Sequence, residues 1–373
     1  MKLEYDKSKY AQTIICDFDD TLCITTTRDW ENAQPVQGII NKINNFYNKG
    51  WQIIIVTARG QLSCDGDTEK ADAKYRKIIE GWLHRNGVKY HLLRFEKYLG
   101  SYYLDDKAIN LEDFINLEVE EIKTGWSGAK VEKRGDRIFK THHDSLQAAK
   151  WYNMAAPLVN VPLVHSMIGE TLCLEYLKDN ESYFKIDDVN DAINKFSLYP
   201  IKNPFELYIE RMKKHCKANV DFYEIIDLLE DKETIAYFNM FGSFMHGDLS
   251  LENIIQTDKG MYLIDPIYKE DQWSSYLLDI TKMMHSYRKY NRMFEYEVFT
   301  NGWIDKIKSP FKDGGDWTRY HLLLLEVSQW IRVIKYIPDA ELKKEYHDKT
   351  KQMLNDVIKY KETIYFSNKN KKS

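Results

Sequence analysis

From Thr13 to Leu104 the chain alternates β-rich apolar runs with stretches of helical period, and this alternation restricts the fold more than any other feature. The run Thr13 to Cys16 leads straight into acidic residues, as a buried strand ending at a site does. Val36 to Asn48 repeats apolar residues at helical spacing and is closed by Gly50, and Trp51 to Val56 is a second β-rich run. A helical pattern over Lys70 to Arg85 follows, then short strands at His91 to Phe95 and Ser101 to Leu104. Strands and helices in turn predict an α/β fold, a Rossmann-like parallel sheet flanked by helices, with ligands at the carboxyl ends of the strands.

The pattern changes near Leu117. Glu118 to His142 reads as a β-hairpin, with turn residues at Gly135-Asp136. A helix is expected over Ser145 to Leu158, two strands within Leu163 to Leu177, and a mostly helical chain from Asp187 onward, broken by short strands near Ile254 and Tyr262. A small β-rich part followed by a larger helical part predicts a two-lobed α+β domain. The expected division is residues 1–117 and 118–373. A chain of 373 residues accommodates two domains.

The segment Asp17-Phe18-Asp19-Asp20-Thr21 places two carboxylates, two residues apart, just past a strand. Such a pair can divide the labour of phosphoester cleavage, one attacking phosphorus and the other handling the leaving-group proton. D-x-D-x-T after an apolar strand resembles the first motif of haloacid dehalogenase-type phosphatases. Thr57 after Ile53-Ile54-Ile55-Val56 resembles the second, and Asp105-Asp106 after Tyr103-Leu104 the fourth. Lys97 is the best placed candidate for the third, ahead of Lys89 and Lys107. The resemblance implies an aspartyl-phosphate on Asp17, acid–base work by Asp19, and phosphoryl contacts from Thr57 and Lys97. It also implies Mg²⁺ held by Asp17, the backbone carbonyl of Asp19, and Asp105 and Asp106, either of which is open as the direct ligand. The intervals between motifs are filled by core elements, so the phosphatase is expected to lack a cap domain.

A second constellation lies far downstream. His246-Gly247-Asp248 is followed by Asn253, and then by Ile264-Asp265-Pro266. Asp248 can accept a proton from a hydroxyl, while Asn253 and Asp265 can hold Mg²⁺ on a nucleotide. H-G-D-x-x-x-x-N followed by I-D-P resembles the aminoglycoside phosphotransferase and choline kinase group. The resemblance implies the two-lobed kinase fold, ATP, and an alcohol as acceptor. Lys140 would contact ATP, Gly125 and Gly128 would form a turn over its phosphates, and Glu175, Tyr176 and Leu177 would form the hinge. The helix after Lys140 contains no Glu to pair with it, and Gln147 or Asp144 stands nearest to that role. Asp279 is expected to anchor the loop rather than act chemically.

Together these patterns predict a bifunctional Mg²⁺-dependent phosphatase and ATP-dependent kinase. Short phosphatase domains of this kind resemble proteins of capsular polysaccharide biosynthesis, so a sugar or polyol phosphate is the expected partner. One phosphorylated metabolite handled by both domains in turn is a further expectation. A nucleotide-binding domain that regulates the phosphatase is the alternative. Polynucleotide end repair would require a P-loop, G-x-x-x-x-G-K-[ST], which the chain lacks. The 53 basic and 57 acidic residues give a net charge of −4 and no footprint for nucleic acid. Five scattered cysteines indicate neither disulfides nor zinc, and fit a cytoplasmic protein. No apolar run approaches a membrane span.

Overall fold

The computed structural model describes residues 6, 9, 12–25, 31–98, 100, 108–124, 128–180, 182, 184–217, 219–307 and 314–370. The expected strand over 101–104, with Asp105, Asp106 and Gly125, lies outside the described residues. The chain divides into two compact units. The first comprises residues 1–123, 130–139 and 168–171, and the second residues 124–129, 140–167 and 172–373.

In the first unit, β1 (Thr13–Asp17), the short strands β2 (Cys23–Ile24) and β3 (Gln34–Pro35), α1 (Gln37–Asn48), β4 (Gln52–Val56), α2 (Thr68–Arg85), β5 (Leu92–Arg94) and α3 (Leu111–Asn116) follow in order. The sheet has order β1-β4-β5, and both pairings are parallel. Its register sets Asp17 beside Val56 and Val56 beside Arg94, so the three strands finish at one edge. There the amide of Phe18 donates to Val56 O at 3.0 Å, and that of Thr57 to Arg94 O at 3.0 Å.

The sequence dictates these elements locally. β4 is rich in β-branched residues, which fit a pleated surface, and its Ile53 and Ile55 are fully buried. Burial of each such side chain is worth about 2 kcal/mol. α1 buries Ile39, Ile40, Ile43 and Phe46 on one stripe. It is followed by Gly50 at φ +85°, a left-handed turn that glycine adopts without a Cβ clash. Asp67 caps α2 by accepting from the amide of Lys70 at 3.0 Å. Trp82 of α2 packs edge-on against Phe18, with ring centroids 5.2 Å apart, and its indole N–H donates to Ala33 O at 2.8 Å.

Further along run β6 (Val119–Thr124), β7 (Lys130–Arg134), β8 (Arg137–Thr141), α4 (Ser145–Ala155), β9 (Val164–Ile168) and β10 (Thr171–Glu175). They form a five-stranded sheet of order β6-β7-β8-β10-β9, which contributes residues to both units. Three strands thus occupy the stretch expected to be a hairpin. Gly135, at φ +61°, makes the predicted turn, and β6 is the addition.

Among the described residues, the remaining elements are helices and one hairpin: α5 (Ile186–Ser197), α6 (Glu206–Lys217), α7 (Glu224–Leu229), α8 (Lys232–Asn239), β11 (Ile254–Thr257), β12 (Gly260–Leu263), α9 (Tyr276–Lys289), α10 (Met293–Lys306), α11 (Gly314–Ile334) and α12 (Ala340–Asn370). β11 and β12 are antiparallel, with Ile254 opposite Leu263. α11 packs against α6, α9, α10 and α12. Aromatic residues fill this core: Trp151, Phe196, Phe205, Trp273, Tyr320 and Trp330 are essentially buried. No helix of the described residues is long and apolar enough to cross a membrane.

Candidate catalytic sites

The first site sits at the edge where β1, β4 and β5 end. Lys97 donates to Oδ2 of Asp17, and the amide of Phe18 donates to Oδ1 of Asp17 at 2.8 Å. Burial raises the Asp17 carboxyl above its ordinary range, although Lys97 and the Phe18 amide pull it down. Thr57 Oγ1 donates to Oδ2 of Asp19 at 3.0 Å and accepts from the amide of Arg59 at 3.0 Å. The four predicted side chains Asp17, Asp19, Thr57 and Lys97 are therefore brought together. Among described residues, the intervals between their motifs hold β2, β3, α1, β4, α2 and β5, with no cap.

Sequence pattern alone missed Arg59. Its Nε lies 3.1 Å from Oδ1 of Asp19, and Nη2 engages the same oxygen. Its guanidinium stands over the Phe18 ring, 4.8 Å from the centroid. The available signal was its place two residues after Thr57, on the same strand-end loop. Gln61 reaches the backbone oxygen of Lys97 and braces the lysine's segment. The neighbouring thiol of Cys16 is pushed up to about 12, chiefly by burial, which keeps it protonated.

The second site is built on the β11–β12 hairpin and its flanks. Asn253 precedes β11 and Asp265 follows β12, so strand pairing brings them close; the amide of Ile264 donates to Asn253 O at 3.0 Å. Nδ2 of Asn253 donates to the backbone oxygen of Asp248 at 2.8 Å and to its Oδ2 at 2.9 Å. The side-chain oxygen of Asn253 is thereby turned away from Asp248. Asp265 takes the left-handed conformation, φ +55°, which aspartate tolerates better than most residues. Its amide donates to the Tyr152 hydroxyl at 3.0 Å, and its Oδ1 accepts from Lys140 Nζ at 2.9 Å. Lys140 thus meets Asp265, with no Glu on α4.

The loop before Asp248 is held from beneath. Asp279, buried on α9, accepts from the amides of His246 at 2.7 Å and Gly247 at 2.8 Å. Burial drives its carboxyl up to about 7, against the pull of those two amides. Asp279 therefore does anchor the loop. Burial brings His246 down to about 4, so its ring is neutral. Nε2 of His246 lies 2.9 Å from Ile264 O, and its Nδ1 accepts from the amide of Asp248 at 3.3 Å. Gly247 has φ +82°, and a Cβ there would lie 1.8 Å from Ile267 O.

Lys282 also escaped sequence pattern. It donates to Oδ1 of Asp248 at 2.8 Å. Its signal was the i,i+3 spacing from Asp279 on α9, which puts both on one helical face. Burial opposes ionisation of Asp248, but the surrounding positive charges, Lys282 foremost, together hold the carboxyl below its usual range.

Of the expected nucleotide contacts, Glu175, Tyr176 and Leu177 border an open cavity of about 490 Å³ that is also lined by Thr257, Asp258 and Tyr262. Lys140 and Asp265 are not among its walls. The amide of Glu175 donates to Leu163 O at 2.9 Å. Gly128 is exposed, at φ +82°.

No known protein family's profile matches the chain, and no curated protein matches it. Among solved structures, a structural-genomics target from Vibrio cholerae is 27% identical over 29% of this chain and 89% of its own, with a TM-score of 0.28. A choline kinase from Cryptosporidium parvum Iowa II is 14% identical, covering 81% of this chain and 97% of its own, with a TM-score of 0.44. A choline/ethanolamine kinase family protein from Mesorhizobium loti is 12% identical, covering 65% and 88%, with a TM-score of 0.42.

Proposed function

We propose that residues 118–373 transfer the γ-phosphoryl group of ATP to the hydroxyl of a small molecule. The supporting observation is the arrangement of Asp248, Asn253, Asp265 and Lys140 around one hairpin, with Asp248 kept ionised. In this reading the acceptor oxygen attacks the γ-phosphorus as its proton passes to Asp248. The bond to the β,γ-bridging oxygen breaks, and ADP leaves with the electron pair. Asn253 and Asp265 offer oxygen donors that suit Mg²⁺, and Mg²⁺ would neutralise phosphate charge. Lys140 would hold the phosphates while the segment Glu175 to Leu177 borders the base. Asp265→Asn in the full chain should reduce transfer from γ-labelled ATP by about a thousandfold, on the scale of a catalytic phosphoryl-transfer element. Transfer at the wild-type rate would refute the assignment.

For residues 1–117 we propose a phosphatase. Asp17 would attack the phosphoester, forming an aspartyl-phosphate as the P–O bond to the alcohol breaks. Asp19 would protonate that leaving alcohol, then take a proton from water as the acyl phosphate is hydrolysed. Lys97 and Thr57 would face the phosphoryl oxygens. Asp17, the Asp19 carbonyl, Asp105 and Asp106 are the proposed Mg²⁺ donors. Both activities would serve a sugar or polyol phosphate in surface-polysaccharide precursor synthesis in the cytoplasm. The test is phosphate release from p-nitrophenyl phosphate by Asp17→Asn. Loss of release with retained ATP affinity supports the reading, and unchanged release refutes it.

A further inference from the structure

We infer that Lys282 and Ser286 of α9 are positioning residues for phosphoryl transfer, fixing Asp248 from one helix face by two routes. This deepens the phosphotransfer reading given above and rests on it. α9 buries Leu277, Leu278, Ile280, Met283, Met284 and Tyr287, and it packs against α5, α10 and α11. It is therefore a firm support. Its polar residues Asp279, Lys282, Ser286 and Lys289 are spaced by three, four and three positions, which aligns them on one face. That face meets the loop from His246 to Glu252 in chain order. Asp279 holds the amides of His246 and Gly247, and Lys282 the carboxylate of Asp248. Ser286 holds the amide of Leu251, and Lys289 the carboxylate of Glu252.

The first route is direct. Lys282 donates to Oδ1 of Asp248 at 2.8 Å, with its side chain 15% exposed. The second runs through the loop. Ser286 is essentially buried, and its Oγ accepts from the Leu251 amide at 3.0 Å. That contact seats the tight turn over Leu251–Asn253, in which the amide of Asn253 donates to Ser250 O at 3.0 Å. Nδ2 of Asn253 then reaches Oδ2 of Asp248 at 2.9 Å.

One carboxylate is thus held at both oxygens by groups that trace back to the same helix. A single contact leaves a carboxylate free to swing about it, whereas two fix its plane. Each carboxylate oxygen can accept two hydrogen bonds, so both keep a lone pair for the acceptor hydroxyl. Fixing the plane matters, because a displacement of about 1 Å in a reacting group can cost on the order of a hundredfold in rate. The loop-facing polar side chains of α9 therefore set where the proton is taken, while its apolar side chains set where the helix sits.

The experiment follows ADP release from ATP by the full chain, with ribitol as the acceptor probe, counting the part that Asp248→Asn removes. Lys282→Met should lower kcat by roughly ten- to a hundredfold and Ser286→Ala by roughly tenfold, the scales of a charged and a neutral hydrogen bond. The KM for ATP should stay in place. Because both residues act on one carboxylate, the double variant should fall little below Lys282→Met and not show the product of the two losses. Lys282→Arg should recover most of the lost kcat. Thr281→Val removes another buried hydroxyl of α9, one that turns back to Leu278 O at 3.2 Å. It should leave kcat unchanged, which separates positioning from a general loosening of the helix. An unchanged kcat in either single variant, full multiplication of the two losses, or an equal loss in Thr281→Val overturns the inference and leaves the phosphotransfer reading standing. Absence of Asp248-dependent ADP release would overturn both.

Discussion

Asp17 and Asp248 each face a lysine, yet their surroundings move the two carboxyls in opposite directions. Asp17 is raised by burial in spite of Lys97, whereas Asp248 is lowered because the positive charges around it, Lys282 foremost, together outweigh burial. Both neighbourhoods turn on an aspartate in the left-handed region, Asp20 at φ +54° and Asp265 at φ +55°. They differ in what holds the loop. At the first site cationic side chains, Arg59 and Lys97, grip the carboxylates directly. At the second the backbone is gripped, through Asp279, and the chemical carboxylate is left to its lysine and asparagine. A site held by side chains tolerates backbone change better than one held by its amides.

The largest effect should therefore come from Gly247→Ala. Its Cβ would overlap Ile267 O, and φ +82° adds strain. We expect at least about 3 kcal/mol of destabilisation and loss of phosphoryl transfer. Denaturant unfolding that shows no change would break the comparison.

Asp279→Asn comes next. It offers one acceptor oxygen to two amides, so about 1–3 kcal/mol is lost by leaving one amide unpaired. The pH dependence has a definite sign. The Asp279 carboxyl is raised from 3.8 to about 7 in the folded state. Below the lower value it is protonated in both states. Between the two values only the unfolded chain ionises, so stability falls as pH rises toward 7. Subtracting the Asn variant's stability from the wild type's across this window should give a declining difference; a flat one would contradict the buried carboxyl.

At the first site, Arg59→Met should lower phosphatase turnover with only a modest loss of stability, because it releases Asp19 without touching the strand ends. A collapse in stability as large as that of Gly247→Ala would erase the contrast. The smallest effect should be Asp67→Ala, which removes the exposed cap that accepts from the amide of Lys70 and costs about 1 kcal/mol.

Much of this was legible in sequence because backbone period and polar placement coincide. β-branched runs ending in Asp17 and at Thr57 announced parallel strands finishing at one edge. His246-Gly247-Asp248 with Asn253 and Asp265 announced a loop closed by a hairpin. What escaped depended on folding at a distance. Arg59 reaches back to Asp19 across two strand ends, and Lys282 reaches Asp248 from a helix whose spacing alone does not say which loop it faces. β6 escaped because Val119-Glu120-Glu121-Ile122 breaks the strand alternation and the stretch reads as part of one longer hairpin.

The central claim is that two independent phosphoryl-handling sites share this chain. It is tested most directly by Asp248→Asn, assayed both for transfer from ATP and for phosphate release from p-nitrophenyl phosphate. The account predicts transfer reduced by about a thousandfold or more with phosphate release unchanged, as expected when a catalytic base is removed from one site only. Undiminished transfer, or equal loss of both activities in a folded protein, would contradict it.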